Sequence, residues 1–166
     1  MQVEIRPERP EDAQVIFDIT AAAFAPKAFS DGTEAALIGT LRDDGDLTLS
    51  LAAAREQQVV GHVAFSPVTL NGQAGDWYGL GPVAVRPDLQ GTGIGSLLIT
   101  NGLRRLKTMG AAGCALIGDP NYYSRFGFRS DGKLHYANVP DRNVQWLSFG
   151  NQAAQGQLQF RPAFGE

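Results

Sequence analysis

Three glycines lie within five residues in the stretch Val83-Ala84-Val85-Arg86-Pro87-Asp88-Leu89-Gln90-Gly91-Thr92-Gly93-Ile94-Gly95-Ser96. Glycines at this density let a backbone approach a ligand closely. They stand where a helix is predicted to begin, and unpaired N–H groups at the positive end of a helix dipole favour an anion. A pyrophosphate suits such a place, although a glycine-rich turn that binds nothing has the same composition. A P-loop would close on Gly-Lys-Ser/Thr, whereas here Gly95 is followed by Ser96 and Leu97. A dinucleotide fold would place Asp119, at the end of the next strand, on a ribose. Against it, five residues separate Val85 from Gly91, and Ser96 holds the place of the third packing glycine.

The elements around this stretch alternate in short lengths. Gln2 to Arg6 reads as a strand, and Pro10-Glu11-Asp12 opens a helix whose apolar face is Val15, Ile16, Ile19 and Ala23. Phe24 to Gly32 reads as a loop and Thr33 to Arg42 as a second helix. Leu47–Arg55, Val59–Leu70 and Trp77–Val85, separated by polar turns, predict an antiparallel meander. A long helix from about Gly93 to Met109 and a strand Cys114–Gly118 then form one parallel crossover. This order predicts a mixed α/β (α+β) fold in a single domain over 1–166, with its core at about 47–128. Leu134–Val139, Val144–Phe149 and Gln157–Phe160 are expected as strands completing the sheet within 129–166.

Composition narrows the function. With 14 basic against 17 acidic residues, the net charge is −3 and no Lys/Arg block offers a footprint for nucleic acid. No run approaches the ~18 apolar residues of a membrane span, and no leader precedes Glu4, so a soluble cytoplasmic protein is expected. The single cysteine, Cys114, cannot close an intrachain disulfide and suggests no metal site.

The residues Gln90-Gly91-Thr92-Gly93-Ile94-Gly95 resemble the pyrophosphate motif Gln/Arg-x-x-Gly-x-Gly/Ala of the GNAT superfamily of N-acetyltransferases, and Val83-Ala84-Val85-Arg86-Pro87 resembles its central strand and the turn leaving it. Tyr122-Tyr123-Ser124-Arg125-Phe126-Gly127-Phe128 looks like the aromatic stretch that follows the superfamily's next strand. Gly61 to Pro67, Gly118-Asp119-Pro120 and Arg161-Pro162-Ala163-Phe164 look like its YhbS-like branch.

The resemblance implies a mostly antiparallel central sheet with a parallel, splayed strand pair flanked by helices. Gly81-Pro82 suits a bulge at such a splay. It further implies that acetyl-CoA is held by the backbone of Val83 and Val85 and by Gln90, Gly91, Thr92, Gly93, Ile94, Gly95 and Ser96, with no metal. Tyr123 matches the position of a tyrosine that protonates the departing thiolate. The implied reaction is direct attack of an amine on acetyl-CoA in a ternary complex; a non-catalytic acyl-CoA-binding or protein-interaction module is the alternative. Where many members carry an asparagine, this chain has Leu116-Ile117-Gly118-Asp119, which leaves local pantetheine contacts unassigned.

No single residue stands out as the base that deprotonates the amine. His62 lies on a predicted strand face with Val60 and Ala64, a setting more usual for a structural histidine; Asp76, Glu34 and Asp119 are alternatives, the last reading first as an N-cap. Arg125 is expected to cover the helix surface, and Arg104, Arg105 and Lys107 to complement the long helix's dipole. The acceptor is a small-molecule or peptide amine whose pocket would involve Phe24–Glu34 and the C-terminal third. A homodimer stays open.

Overall fold

A computed structural model describes residues 2–27 and 30–165; part of the loop expected at Phe24 to Gly32 lies outside them. The chain falls into two compact units. One runs to Phe65 and includes Gly81–Gly102, and the other comprises Ser66–Leu80 and the described chain from Leu103 onward.

The first unit contains strand β1 (Glu4–Pro7), a 3-10 turn at Pro10–Asp12, helices α1 (Ala13–Phe24) and α2 (Glu34–Asp43), and strand β2 (Leu49–Arg55). It also takes the first part of β3 (Gln58–Leu70), the end of β4 (Gln73–Val85) and the start of α3 (Ile94–Thr108). β1 pairs antiparallel with β2, and β2 antiparallel with β3. The β2–β3 hairpin closes on Glu56 and Gln57, both at positive φ (52° and 68°), the twist that a two-residue hairpin loop demands. Ile16, Ile19 and Ala23 recur at helical spacing and bury one face of α1 with Ile38, Ala52, Val59 and Ala84. Arg6 clasps Asp12 at 2.7 Å, and the Asp12 carboxylate also accepts the Arg9 N–H at 2.7 Å, which fixes the start of the helical segment.

Two glycines of this unit set α3 against β3. A Cβ on Gly61 would lie 3.2 Å from the Ala84 carbonyl oxygen and from methyls of Ile94 and Leu98, and one on Gly102 would strike the Phe65 ring. Their lack of side chains allows the helix to lie close to the strand.

In the second unit the β3–β4 turn is Asn71-Gly72, again both at positive φ (52° and 78°). β5 (Gly113–Ile117) runs parallel to β4 and pairs antiparallel on its other edge with β7 (Val144–Ser148). The helix α4 (Pro120–Tyr123) follows β5. Trp77 and Trp146 meet edge to face at 6.2 Å between centroids, within a core that includes Val68, Ala115, Leu134, Val144, Ala154 and Leu158. The central path of the mixed sheet, β1 to β5 and β7, is mostly antiparallel with the one parallel pair β4–β5, as expected.

The C-terminal region differs from expectation in detail. The strand β6 is only Leu134–His135, because Ala137 takes φ 43° and the Val139 N–H folds back to the Tyr136 carbonyl. β8 (Gly156–Gln159) pairs parallel with β6 and antiparallel with Thr69 and Leu70 of β3, so these two strands do not extend the sheet beyond β7.

Candidate active site

Val83 and Val85 are one strand period apart, so their side chains share a face of β4 while Ala84 points into the core. The exit from β4 is anchored by the Arg86 N–H donating to the Val60 carbonyl at 2.8 Å. A 3-10 turn at Pro87–Leu89 follows, in which Arg86 pairs with Asp88 at 2.7 Å. That pairing neutralises the one carboxylate in the segment Val83–Ser96.

The loop then runs over Gln90 to Gly93. Gln90 donates its side-chain N–H to the Val85 carbonyl at 3.2 Å, and the Thr92 hydroxyl donates to the Leu89 carbonyl at 2.6 Å. Gly91 and Gly93 take φ of 79° and 94°, a region that costs other residues strain. Among the described residues, a Cβ at either would meet nothing within 4 Å, so the surface above them is open. Ile94 is buried and anchors the first turn of α3, and Gly95 and Ser96 are half-buried beside it. The Leu97 N–H donates to the Gly93 carbonyl at 3.1 Å, so the N–H groups just before it have no acceptor within the helix. An exposed loop with open glycines and uncapped amides fits a diphosphate.

In the second unit, the parallel ladder of β4 with β5 spans Trp77–Gly79 and Gly113–Ala115 and stops there, although β5 continues to Ile117. Beyond β5, Asp119 caps α4 by accepting the Asn121 N–H at 2.9 Å, and its carbonyl accepts the N–H of Tyr123 at 3.0 Å. Gly127, at φ 98°, ends the 3-10 turn that follows. Tyr123 lies among Tyr122 (4.9 Å between centroids), Phe126 (6.3 Å) and Phe128 (6.2 Å). Burial pushes its phenol up to about 12, with Tyr122 and Cys114 adding to the shift. Such a phenol holds its proton at neutral pH and cannot act as a base there.

The other candidates take structural places. His62 is fully buried. The Ser50 hydroxyl donates to the Glu8 carboxylate, which Arg42 also holds at 2.7 Å, and His62 Nε2 lies 2.7 Å from Ser50 Oγ. Since the single Ser50 proton goes to the carboxylate, Nε2 must donate, which leaves Nδ1 as the lone-pair nitrogen. Nδ1 has no hydrogen-bond partner among the described residues. Burial pushes the imidazole down to about 4, so it stays neutral and occupied with Ser50. Burial also opposes ionisation of Glu8, but the bonds from Arg42 and Ser50 outweigh it and hold the carboxyl below its usual range.

Arg125 packs its guanidinium 4.4 Å from the centre of the Tyr122 ring and donates to the Tyr122 carbonyl at 2.8 Å. Glu34 accepts the Ser30 hydroxyl at 2.6 Å, and Asp76 is exposed at φ 62°. Cys114 is wholly buried, and burial raises its thiol. Among the described residues no group of three or more His, Cys, Asp or Glu could hold a metal ion, and no helix is long and apolar enough to cross a membrane. Reading the sequence missed the part played by Asn143 and Gln145, both of which donate side-chain N–H groups to the Gly118 carbonyl at 3.0 Å. Neither stands in a motif, and only strand pairing brings them to Gly118.

Comparison with known proteins bears on both segments. The acetyltransferase (GNAT) family profile matches residues 13–128. The Escherichia coli K12 protein named uncharacterized N-acetyltransferase YhbS is 42% identical over 125 residues, which are 75% of this chain and 72% of that protein. A GNAT family acetyltransferase from Brucella melitensis, solved in complex with acetyl-CoA, superposes with a TM-score of 0.89 at 45% identity and covers 98% of each chain. Escherichia coli YhbS, solved in complex with CoA, gives a TM-score of 0.88 at 33% identity over 100% of this chain and 93% of that one. With the profile running from the start of α1 through the aromatic cluster around Tyr123, and a likeness that extends over nearly the whole chain, this protein belongs to the acetyltransferase (GNAT) family.

Proposed function

We propose that the chain transfers an acetyl group from acetyl-CoA to an amine by direct attack while both are bound, as one acyltransferase domain spanning 1–166. The observation that carries this reading is the open loop Gln90–Gly93 at the head of α3, with two glycines at positive φ and uncapped amides, in a chain of this family. The two solved relatives that bind acetyl-CoA and CoA support it. Acetyl-CoA supplies an activated acyl group and a thiolate leaving group.

The chain's own residues have these parts. Amides of Gly91 to Ser96 hold the diphosphate, with Gln90 and Thr92 fixing the loop through their bonds to Val85 and Leu89. The backbone of Val83 and Val85 holds the pantetheine arm and polarises the thioester carbonyl, a contribution typically worth ~10²–10³ in rate. The amine nitrogen bonds to the thioester carbon as the C–S bond breaks, Tyr123 gives its proton to the departing sulfur, and the proton shed by the nitrogen passes to solvent, from which the phenol is restored. The ternary-complex route requires no covalent acyl-enzyme, in keeping with the burial of Cys114. Cytoplasmic placement and a homodimer extend this reading, and light scattering on the purified protein checks the second.

Titration calorimetry with coenzyme A and acetyl-CoA should give saturable binding. A thiol-release assay over alkylamines, amino acids, aminoglycosides and short peptides should identify the acceptor. Binding with no release on any acceptor would favour a non-catalytic module, and no binding at millimolar coenzyme would overturn the reading.

A further inference from the structure

Gly118 directly follows β5 (Gly113–Ile117), and its surroundings are unusually constrained. Its φ is not positive, so the backbone does not call for glycine. Space does: a Cβ at 118 would lie 2.5 Å from Cε2 and 2.9 Å from Cδ2 of the Tyr123 ring. The phenol ring therefore rests on the bare backbone of Gly118.

That backbone is held at its N–H and at its carbonyl by β7 and the turn before it. The Gly118 N–H donates to the Asn143 carbonyl at 3.0 Å. Its carbonyl accepts two amides, Asn143 Nδ2 and Gln145 Nε2, each at 3.0 Å. A carbonyl only accepts, so both side chains must present their NH2 groups, which leaves Gln145 Oε1 pointing elsewhere. Gln145 is fully buried and its Oε1 has no partner among the described residues. Burying an unpaired amide oxygen is unfavourable, and the Gly118 carbonyl is already satisfied by Asn143. For stability alone an apolar residue at 145 would serve better. A buried polar atom without a protein partner calls for a reason, and placement for function supplies one.

We propose that Gly118, clamped by Asn143 and Gln145, is a seat that positions the Tyr123 ring for proton delivery, so that all three are positioning residues for the transfer reaction. This rests on the acid role proposed for Tyr123. The seat does in this chain what a side chain at 118 would prevent, and the neighbouring strand supplies the amides that hold it.

The test measures kcat and coenzyme A affinity in Tyr123→Phe, Gly118→Ala, the double variant, and Gln145→Met. Gly118→Ala should lower kcat about tenfold or more, because small misplacements of a reacting group are costly, while coenzyme A binds as before. In the double variant the loss should match Tyr123→Phe alone, since a residue acting through the phenol has nothing further to remove. Gln145→Met should lower kcat while leaving the melting temperature unchanged or higher, the opposite of what loss of a purely structural bond would do. Additive losses in the double variant, full activity in Gly118→Ala, or a joint fall of melting temperature and coenzyme affinity in Gln145→Met would overturn the seat and leave the acid role standing. Undiminished turnover in Tyr123→Phe would overturn the acid role itself, and the seat with it.

Discussion

Tyr123 is the proposed proton donor, and its environment keeps the proton on the phenol, which excludes it as a base. Held among Tyr122, Phe126 and Phe128 and raised to about 12, its phenol is protonated across the physiological range. Replacing it with phenylalanine removes one oxygen and keeps the packing. Turnover should fall by about 10²–10⁴, the usual worth of a general acid, with coenzyme affinity nearly unchanged; steady-state kinetics beside calorimetry checks this. Equal turnover would reject the assignment. At the glycine loop the expectation is reversed. Gly93→Val puts a β-branched residue at φ 94°, which strains the loop, so coenzyme affinity should fall by at least tenfold in the same calorimetry.

At the scale of elements, the loop is useful only if α3 is held in place, and in the first unit Gly61 allows that. A valine there would bring side-chain atoms against the Ala84 carbonyl and methyls of Ile94 and Leu98, all 3.2 Å from the new Cβ. Overpacking of this kind costs about 1–3 kcal/mol, and because Ile94 begins α3 the displacement should reach the binding loop. Gly61→Val should therefore lower both the melting temperature and coenzyme A affinity, whereas a change remote from α3 would lower the first alone. The main elements were legible because each carries a local signal: Pro10 before α1, the paired turns Glu56-Gln57 and Asn71-Gly72, and the glycines before α3. The end of the chain was less so. Leu134–Val139 has the composition of a strand, yet Ala137 turns it after two residues, because β6 is held by pairing with β8 from a distant part of the sequence.

For the molecule as a whole, acid stability depends on a few groups in the first unit. His62 has its folded value depressed to about 4 from 6.5, so above pH 6.5 it is neutral in both states and changes nothing. Between pH 6.5 and 4 the unfolded chain takes up a proton that the folded chain refuses, and stability falls by a few kcal/mol at most. Glu8 and Asp12, both lowered by their arginine partners, extend the loss as pH drops through the carboxylate range. Denaturant melts at pH 7.5, 5.5 and 4.5 should show this slope. His62→Gln should flatten the part between 6.5 and 4, even though it lowers stability at pH 7.5. Coenzyme A at a hundred times its dissociation constant should add about 2.7 kcal/mol to stability, read as a rise in melting temperature.

The alternation of apolar residues, the turn-forming pairs and the glycine-rich helix start were enough to set the order of elements and the open glycine loop before α3, since those properties act over a few neighbouring residues. What required the folded chain was every relation across strands. The imidazole of His62 is committed to Ser50 and thereby to Glu8, far back in the sequence. The ring of Tyr123 lies on Gly118 under the hold of Asn143 and Gln145. Such arrangements arise from pairing and burial between distant segments, and local spacing carries no record of them.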